Sequence, residues 1–409
     1  MRKVYASNDV TAFVCQRVCG WTGLYRRRSA ALGPPDGLNA ALMPRPLPVE
    51  PRRILLIKSH SAGIGDILRS SAAWAVLKKR WPDAELHLVF LTRWPGYPSE
   101  ALIRDHHLLS SAHFLPMQEG RFAGVRGVGP HIWRRLLPEL RRIVQDLQPD
   151  LIIDHEPFGI ETSIAARWMR HFCAAPAVGV NQVPGRGWLY DYAGPGLQEY
   201  ARRHELSWPM DYTERDFAAL AALRLERDGQ RIVLQETEAG RAFREVLQSR
   251  LPVDRPVIGL NIGCGTPDAV NRRPPMGLLV AVAQRLHQEY FHQLLLMGAP
   301  NERIINAEFM AACASFPCGQ KDIIDLSGET TLSELTGAIA SCDVFVSSDS
   351  GPYHMAIGLG VPTVALFNFP NAEACHQHTR MFFTAPSNVS NICSAIVNAA
   401  ERKERVMGL

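Results

Sequence analysis

RILLIKSHSAGIGDILRSSAAWAVLKKR, residues Arg53–Arg80, is the stretch from which the architecture can be read. Arg53–Lys58 is a compact apolar run, the size of a strand buried on both faces of a parallel sheet. Small residues fill Ser59–Asp66. From Asp66 to Arg80 the apolar positions, among them Ile67, Leu68, Trp74 and Leu77, take helical spacing until Pro82 stops them. Outward from this unit, Glu85–Phe90 alternates like a second strand, His131–Leu147 reads as a helix with a basic face, Asp150–Asp154 as a strand and Ile160–Arg170 as a helix. Strand and helix alternating in this order predict right-handed crossovers and a parallel sheet.

The middle is less regular. Tyr212–Leu225 reads as a helix, Arg231–Gln235 as a short strand and Glu236–Arg250 as a helix, which puts a domain junction near Pro252–Pro256. The same grammar then restarts: strands at Val257–Ile262, His292–Met297, Val344–Ser347 and Val361–Leu366, and helices at Met276–Glu289, Asn301–Phe316, Thr331–Ser341 and Asn388–Val406. The prediction is an α/β chain of two Rossmann-like domains, 51–252 and 253–387, facing each other across a cleft, with residues 388–409 as a closing helix. Ligands belong at the carboxyl ends of the strands.

Composition narrows the class. The chain has 409 residues, 46% hydrophobic and 21% charged, which excludes general disorder. Nine cysteines without dense spacing read as reduced, cytosolic thiols. No apolar run approaches the ~18 residues of a membrane-spanning helix. The net charge of +4 sits in residues 1–50, where seven Lys/Arg face three Asp/Glu; the remainder is neutral, so no nucleic-acid footprint is expected. Arg26–Arg28 and the prolines that follow mark this segment as a disordered basic arm, or as an upstream extension of a chain starting at Met43.

Several chemistries are absent as motifs. There is no P-loop, no nucleophile elbow and no H-E-x-x-H. Gly63-Ile64-Gly65 and Gly263-Cys264-Gly265 each follow a first strand, but Leu68 and Asp268 stand where a dinucleotide fingerprint needs its third glycine. Cys375, His376 and His378 read as loop residues sooner than as a metal site.

Four loops at strand ends carry chemistry instead. In Ser59–Asp66, Asp66 is either a helix-start acid accepting backbone N–H bonds or an acid/base held at the first βα turn, with Gly63 and Gly65 permitting close approach. In Ser347–Gly360 (SSDSGPYHMAIGLG), Asp349-Ser350-Gly351 turns into a helix bearing His354, with Pro352 suited to its first turn. Free N–H groups and the helix dipole there favour an anion; Asp349 as a cap and His354 as a half-buried helix residue are the purely structural readings. Arg272-Arg273 is a solvated turn or a bidentate phosphate grip. In Gly298–Glu302, Glu302 is a favourable first-turn charge or an acceptor of ribose hydroxyls.

Taken in order, these loops resemble glycosyltransferase family 9, the ADP-heptose:lipopolysaccharide heptosyltransferases, over residues 52–370. The opening Gly65-Asp66, then Trp81–Ala84, is similar to the family's start. Asp325–Gly328 with Thr331–Leu335 resembles its D-L-x-G…L-x-E-L segment, Asp349–Pro352 with His354 its D-[ST]-G-x-x-H core, and Leu359–Pro362 with Leu366-Phe367 the continuation. The resemblance implies a GT-B fold and inverting, metal-independent transfer with no cofactor. A nucleotide sugar, ADP-heptose, is its donor, and a hydroxyl of a glycan or glycolipid such as lipopolysaccharide inner core its acceptor. It implies Asp66 as base, Asp349, Ser350, Gly351 and His354 at the nucleotide diphosphate, Glu302 at the ribose, and Ser61, Gly63 and Gly65 on the acceptor side. Where the family carries Lys-Arg-Trp-Pro this chain has Asn271-Arg272-Arg273-Pro274, so Arg272 or Arg273 must replace the lysine. Leu68–Ser71 and Asn368–Pro370 also depart from the family pattern. A protein or small-molecule acceptor, a sugar-nucleotide 2-epimerase and a non-catalytic nucleotide-sugar binder are the alternatives. The expected location is cytoplasmic, with peripheral contact at the inner membrane.

Overall fold

A computed structural model describes residues 47, 50–59, 63–92, 94–117, 130–183, 185–264, 272–290, 292–314, 322–367, 372–377, 381–383 and 388–407. The basic arm expected over 1–50 therefore falls almost wholly outside the described residues, as do Ser61, Asn271, His378 and Asn368–Pro370. The chain divides into two units, Met1–Gln230 and Arg231–Leu409.

The first unit runs β1 (Arg53–Ser59), α1 (Ile64–Arg80), β2 (Glu85–Thr92), α2 (Glu100–Ile103), β3 (Ser111–Pro116), α3 (Pro130–Leu147), β4 (Leu151–Asp154), α4 (Ile160–Arg170), β5 (Ala177–Val180), β6 (Tyr192–Gly194), α5 (Leu197–Arg203) and α6 (Glu214–Leu220). Its six strands pair in the order β3-β2-β1-β4-β5-β6, all parallel. Ile54 pairs Leu86 on one side and Leu151 on the other, which centres β1 in the sheet. The apolar residues read from the α1 spacing, Ile67, Leu68, Trp74 and Leu77, have no exposed surface. Opposite them, Leu55, Ile57, Val89 and Ile152 pack with Leu136, Leu140 and Ile143 of α3. Each such side chain contributes about 1.5–3 kcal/mol on burial.

The second unit runs α7 (Glu238–Gln248), β7 (Val257–Asn261), α8 (Met276–Arg285), β8 (Gln293–Met297), α9 (Arg303–Cys313), β9 (Ile323–Asp325), α10 (Leu332–Ala340), β10 (Val344–Ser347), α11 (Gly351–Leu359), β11 (Thr363–Ala365), α12 (Ala372–Cys375), β12 (Met381–Phe383) and α13 (Val389–Met407). The parallel order β12-β11-β10-β7-β8-β9 repeats the first sheet's topology. Ile258, Leu260, Leu294, Leu296 and Val346 bury against Leu279 and Val282 of α8 and Ile392 and Ile396 of α13.

The boundary lies upstream of the expected Pro252–Pro256 junction, because residues 231–252 are tied to the second unit. The Thr237 hydroxyl donates to the Ser333 carbonyl (2.8 Å), and the Thr237 N–H to Thr336 Oγ1 (3.1 Å). Gly240 and Gly337 bring α7 and α10 so close that a Cβ on either would overlap the other helix. Arg231–Gln235 is not the expected strand: the Leu234 N–H bonds the Gly358 carbonyl near the end of α11, so no ladder forms. The helix expected over Tyr212–Leu225 is shorter, Glu214–Leu220 with one 3-10 turn, and ends at Arg224 with φ +59°.

In both sheets the crossovers reverse direction beside the first strand, between β1 and β4 and between β7 and β10. Chains leaving these neighbours depart to opposite sides, which opens a crevice at their carboxyl ends.

Candidate functional site

At the second unit's crevice, β7 ends in Asn261 and β10 in Ser347, all but buried. Ser350 Oγ donates to Asn261 Oδ1 (3.0 Å), shares a 2.9 Å bond with Ser347 Oγ, and accepts the Tyr353 N–H (3.4 Å) as the cap of α11. This fixes the start of an N-terminal turn containing Gly351 and Pro352, where amide N–H groups and the helix dipole converge. Asp349 precedes the cap. Its carboxylate receives Arg272 Nη1 at 3.0 Å and lies 3.7 Å from His354 Nε2. Burial alone pushes this carboxyl up, but His354, His376 and Arg272 outweigh that and hold it at about 2. Asp349 is thus a fixed anion that aligns a guanidinium and an imidazole beside the helix start.

Arg273 is half-buried, and its Nε is sealed from water without a hydrogen-bond partner among the described residues. Glu302 is 3% exposed; Oε2 accepts the Ala299 N–H at 2.8 Å. The carboxylate lies on the backbone of Gly263, where a Cβ would overlap Oε1 and Cδ. Gly263 is therefore a glycine for close approach, and it brings Glu302 from the end of β8 to the end of β7. Cys264, 3.0 Å from Ser348 Oγ, senses Arg273, Glu302 and Arg272, which places all three around this crevice; burial pushes the thiol up, so it is not poised to react. Asp349, Ser350, Gly351, His354, Glu302, Arg272 and Arg273 therefore gather at one switch point, with Asn261 as a member that motif reading missed.

The Asp325–Gly328 turn acts structurally. Asp325 accepts from the Ser327 N–H (2.9 Å), the Ser327 hydroxyl (2.9 Å) and Asn306 Nδ2 (3.1 Å). Arg303 donates to the Ser327 and Gly328 carbonyls, both at 3.0 Å, anchoring the start of α9 next to Glu302. Thr331 and Glu334 form a reciprocal cap on α10.

At the first unit's crevice, Asp66 is the third residue of α1, not its cap. Its carboxylate accepts the Gly63 N–H at 3.3 Å and pairs with Arg69, yet 38% of the side chain stays exposed. A Cβ at Gly63 would meet no atom within 4 Å among the described residues, so none of them demands glycine there. Gly65 lies one residue before Asp66 in the first turn of α1. Behind Asp66 is a cluster that the sequence did not announce. Lys58 Nζ donates to Asp216 Oδ1 (2.9 Å) and to the His155 carbonyl (3.2 Å), and Ser70 Oγ donates to the same Asp216 oxygen (3.0 Å). Burial pushes Asp216 up, but Lys58 and His155 prevail and hold it well below the usual carboxylate range. Beneath, the fully buried Arg186 bonds Asp154 Oδ2 at 3.0 Å, and Tyr190 donates to that oxygen at 2.6 Å. A polar residue ending an apolar strand was the available signal: Lys58 and Asn261 could be buried only with partners.

The first unit thus offers a partly open carboxylate on a braced helix, and the second a capped helix start and two arginines beside a buried acid. No group of three or more His, Cys, Asp or Glu residues placed to hold a metal ion occurs among the described residues. No helix among them is long and apolar enough to cross a membrane.

Comparison with known proteins extends across both units. The family model for Glycosyltransferase family 9 (heptosyltransferase) matches residues 172–407. The lipopolysaccharide core heptosyltransferase OpsX of Haemophilus influenzae is 34% identical over 124 residues, 30% of this chain and 31% of the relative, so the match spans about a third of that relative's length. Among solved structures, a glycosyl transferase family 9 protein from Veillonella parvula superposes with TM-score 0.65 at 17% identity, over 86% of this chain and 97% of the other. The ADP-heptose lps heptosyltransferase II of E. coli does so with TM-score 0.62 at 20% identity, over 86% and 99%. The fold is that of the GT-B proteins.

Proposed function

The chain belongs to glycosyltransferase family 9, and on that premise we propose that it transfers a heptose from ADP-heptose to a hydroxyl of a glycan or glycolipid acceptor, with inversion and without a metal. The observation that carries the reading is the gathering of a capped helix start, two arginines and a buried glutamate at the second unit's switch point. Those are the groups that a nucleoside diphosphate requires.

In this reading Glu302 accepts the ribose hydroxyls and the diphosphate lies on the amide groups of Gly351 and its neighbours. As the glycosidic C–O bond breaks, the electron pair leaves on the β-phosphate oxygen. Arg273, Arg272 and the α11 dipole stabilise that growing charge. His354 donates from one turn inside the helix, and Asp349 keeps Arg272 and His354 in place. At the other centre, Asp66 takes the acceptor proton as the acceptor oxygen bonds to the anomeric carbon from the opposite face. A carboxylate is a weak base, so proton transfer runs late, when oxocarbenium character has acidified the hydroxyl. Arg69 and the Gly63 N–H fix the carboxylate, while its exposed part faces the acceptor.

ADP-heptose as donor is supported by what the E. coli relative is named for, and lipopolysaccharide core as acceptor by the name of the Haemophilus relative. A lipid-borne acceptor would bring the protein to the inner face of the cytoplasmic membrane as a peripheral visitor. The test is incubation with ADP-heptose and a truncated core acceptor, following ADP release and the mass of the product. Acceptor-dependent ADP release that survives EDTA is expected. Release that needs a divalent ion refutes the metal-free mechanism; isomerised donor, or binding without turnover, refutes transfer.

A further inference from the structure

Each buried cation near Asp66 has a carboxylate: Lys58 has Asp216, Arg69 has Asp66 and Arg186 has Asp154. Arg215 has none among the described residues, although it sits beside them. It lies in the first turn of α6, one residue before Asp216, which clamps α1 through Ser70. Its other neighbour, Glu214, is committed to Arg227 (2.9 Å) and Tyr200 (3.1 Å). Arg215 is half-buried, with its guanidinium carbon over the Tyr212 ring, 3.8 Å from its centre, and 5.9 Å from that of Phe158. Arg69 approaches the same Tyr212 ring at 5.1 Å. A line of contacts thus runs from Asp66 through Arg69 and Tyr212 to Arg215 and on to Phe158 in the loop after β4.

Stacking supplies part of what a solvated arginine needs, about 0.5–2 kcal/mol in general. It leaves the guanidinium N–H donors without a hydrogen-bond partner among the described residues. A planar, pinned fork without a carboxylate suits one ligand chemistry best, an oxyanion taken by two parallel hydrogen bonds. We propose that Arg215 is a substrate-positioning residue that takes a carboxylate or phosphate carried by the acceptor, orienting the neighbouring hydroxyl towards Asp66. This rests on the acceptor side of the transferase reading and adds a residue and a recognition chemistry to it.

The test uses the full chain and three matched probes: a methyl glycoside, the corresponding methyl uronide and the corresponding sugar phosphate. Affinities are measured by ligand-observed NMR, with ADP binding measured separately. At least one anionic probe should bind about tenfold or more tighter than the neutral one, and which anion gains tells carboxylate from phosphate. Arg215→Gln should erase that preference while leaving the neutral probe's affinity and the thermal midpoint unchanged. Arg215→Lys, which keeps the charge but not the fork, should retain part of it and guards against a Gln variant that does not fold. Equal affinity of all probes for the wild type, or an anionic preference that survives Arg215→Gln, overturns the proposal. So does a loss shared equally by the neutral probe. Failure to bind ADP would instead strike at the transferase reading and leave the anion result standing by itself.

Discussion

Gly263→Ala should damage the proposed nucleotide site through Glu302 alone. The added Cβ would overlap Oε1 and Cδ of Glu302 and stand 2.9 Å from Cγ, so the side chain must swing away. It then gives up the charge-assisted bond from the Ala299 N–H, a part-buried contact whose loss costs about 1–3 kcal/mol. Glu302→Ala gives up the same bond and should cost a similar amount. In the double variant the obstructing atoms are gone, so Gly263→Ala should add almost nothing. The expected coupling is about 1–3 kcal/mol, at the upper end of what touching residues show. Urea denaturation of the four proteins measures it. ADP titration of the same set should show both single variants weakened about 10–150-fold, the range of a lost charge-assisted bond, with the double variant no weaker than either. Additive costs in both assays would falsify the placement of Glu302 against Gly263.

Asp66→Asn should abolish transfer and leave ADP affinity within about twofold of wild type; transfer within about tenfold of wild type, ~1.4 kcal/mol, would reduce Asp66 to a helix-start acid. Arg273→Ala should weaken ADP binding about 10–150-fold, because its buried Nε has no partner among the described residues. Arg272→Ala should cost less, because that guanidinium is 55% exposed and already spent on Asp349; the reverse order in a donor titration would exchange the two roles. Asp349 is held at about 2, below an ordinary carboxyl, so its contribution to stability is fully present above about pH 4 and is lost as pH falls towards 2. Denaturation midpoints of wild type and Asp349→Asn should therefore differ at neutral pH and converge below about pH 2; a constant gap across that window would contradict the assignment.

The repeat of one fold grammar was legible because parallel strands buried on both faces must be short apolar runs, and crossover helices must be amphipathic. RILLIK and VIGLNI show the first, and the spacing of Ile67, Leu68, Trp74 and Leu77 the second. The strands that escaped notice are those where this rule has least to act on. Ser111–Pro116 is half-buried along its length and carries His113. Ala177–Val180, Tyr192–Gly194, Ile323–Asp325 and Met381–Phe383 have three or four residues each, too few for a period. The junction was misplaced because Pro252–Pro256 is a strong breaker, whereas what assigns residues 231–252 to the second unit is the approach of Gly240 to Gly337, a fit between helices far apart in sequence.

The two switch points differ in legibility for a related reason. Around β7, β8 and β10 the candidate groups sit in the segment that follows each strand, so motif spacing can name Arg272, Arg273, Glu302, Asp349, Ser350 and His354 without knowing what lies opposite. Around β1 only Asp66 is local. Its supporting groups come from β1 itself, from β4 and from α6, and Lys58 and Asp216 are 158 residues apart. What sequence does offer there is an inequality: a lysine ending a buried strand must find a carboxylate or lose its charge. That inequality demands a partner without saying which. Once Asp216 answers it, Arg69 and Arg186 are matched in the same way; Arg215 is left without a carboxylate among the described residues, so the paired groups brace the site and the proposal gives the remaining one a ligand.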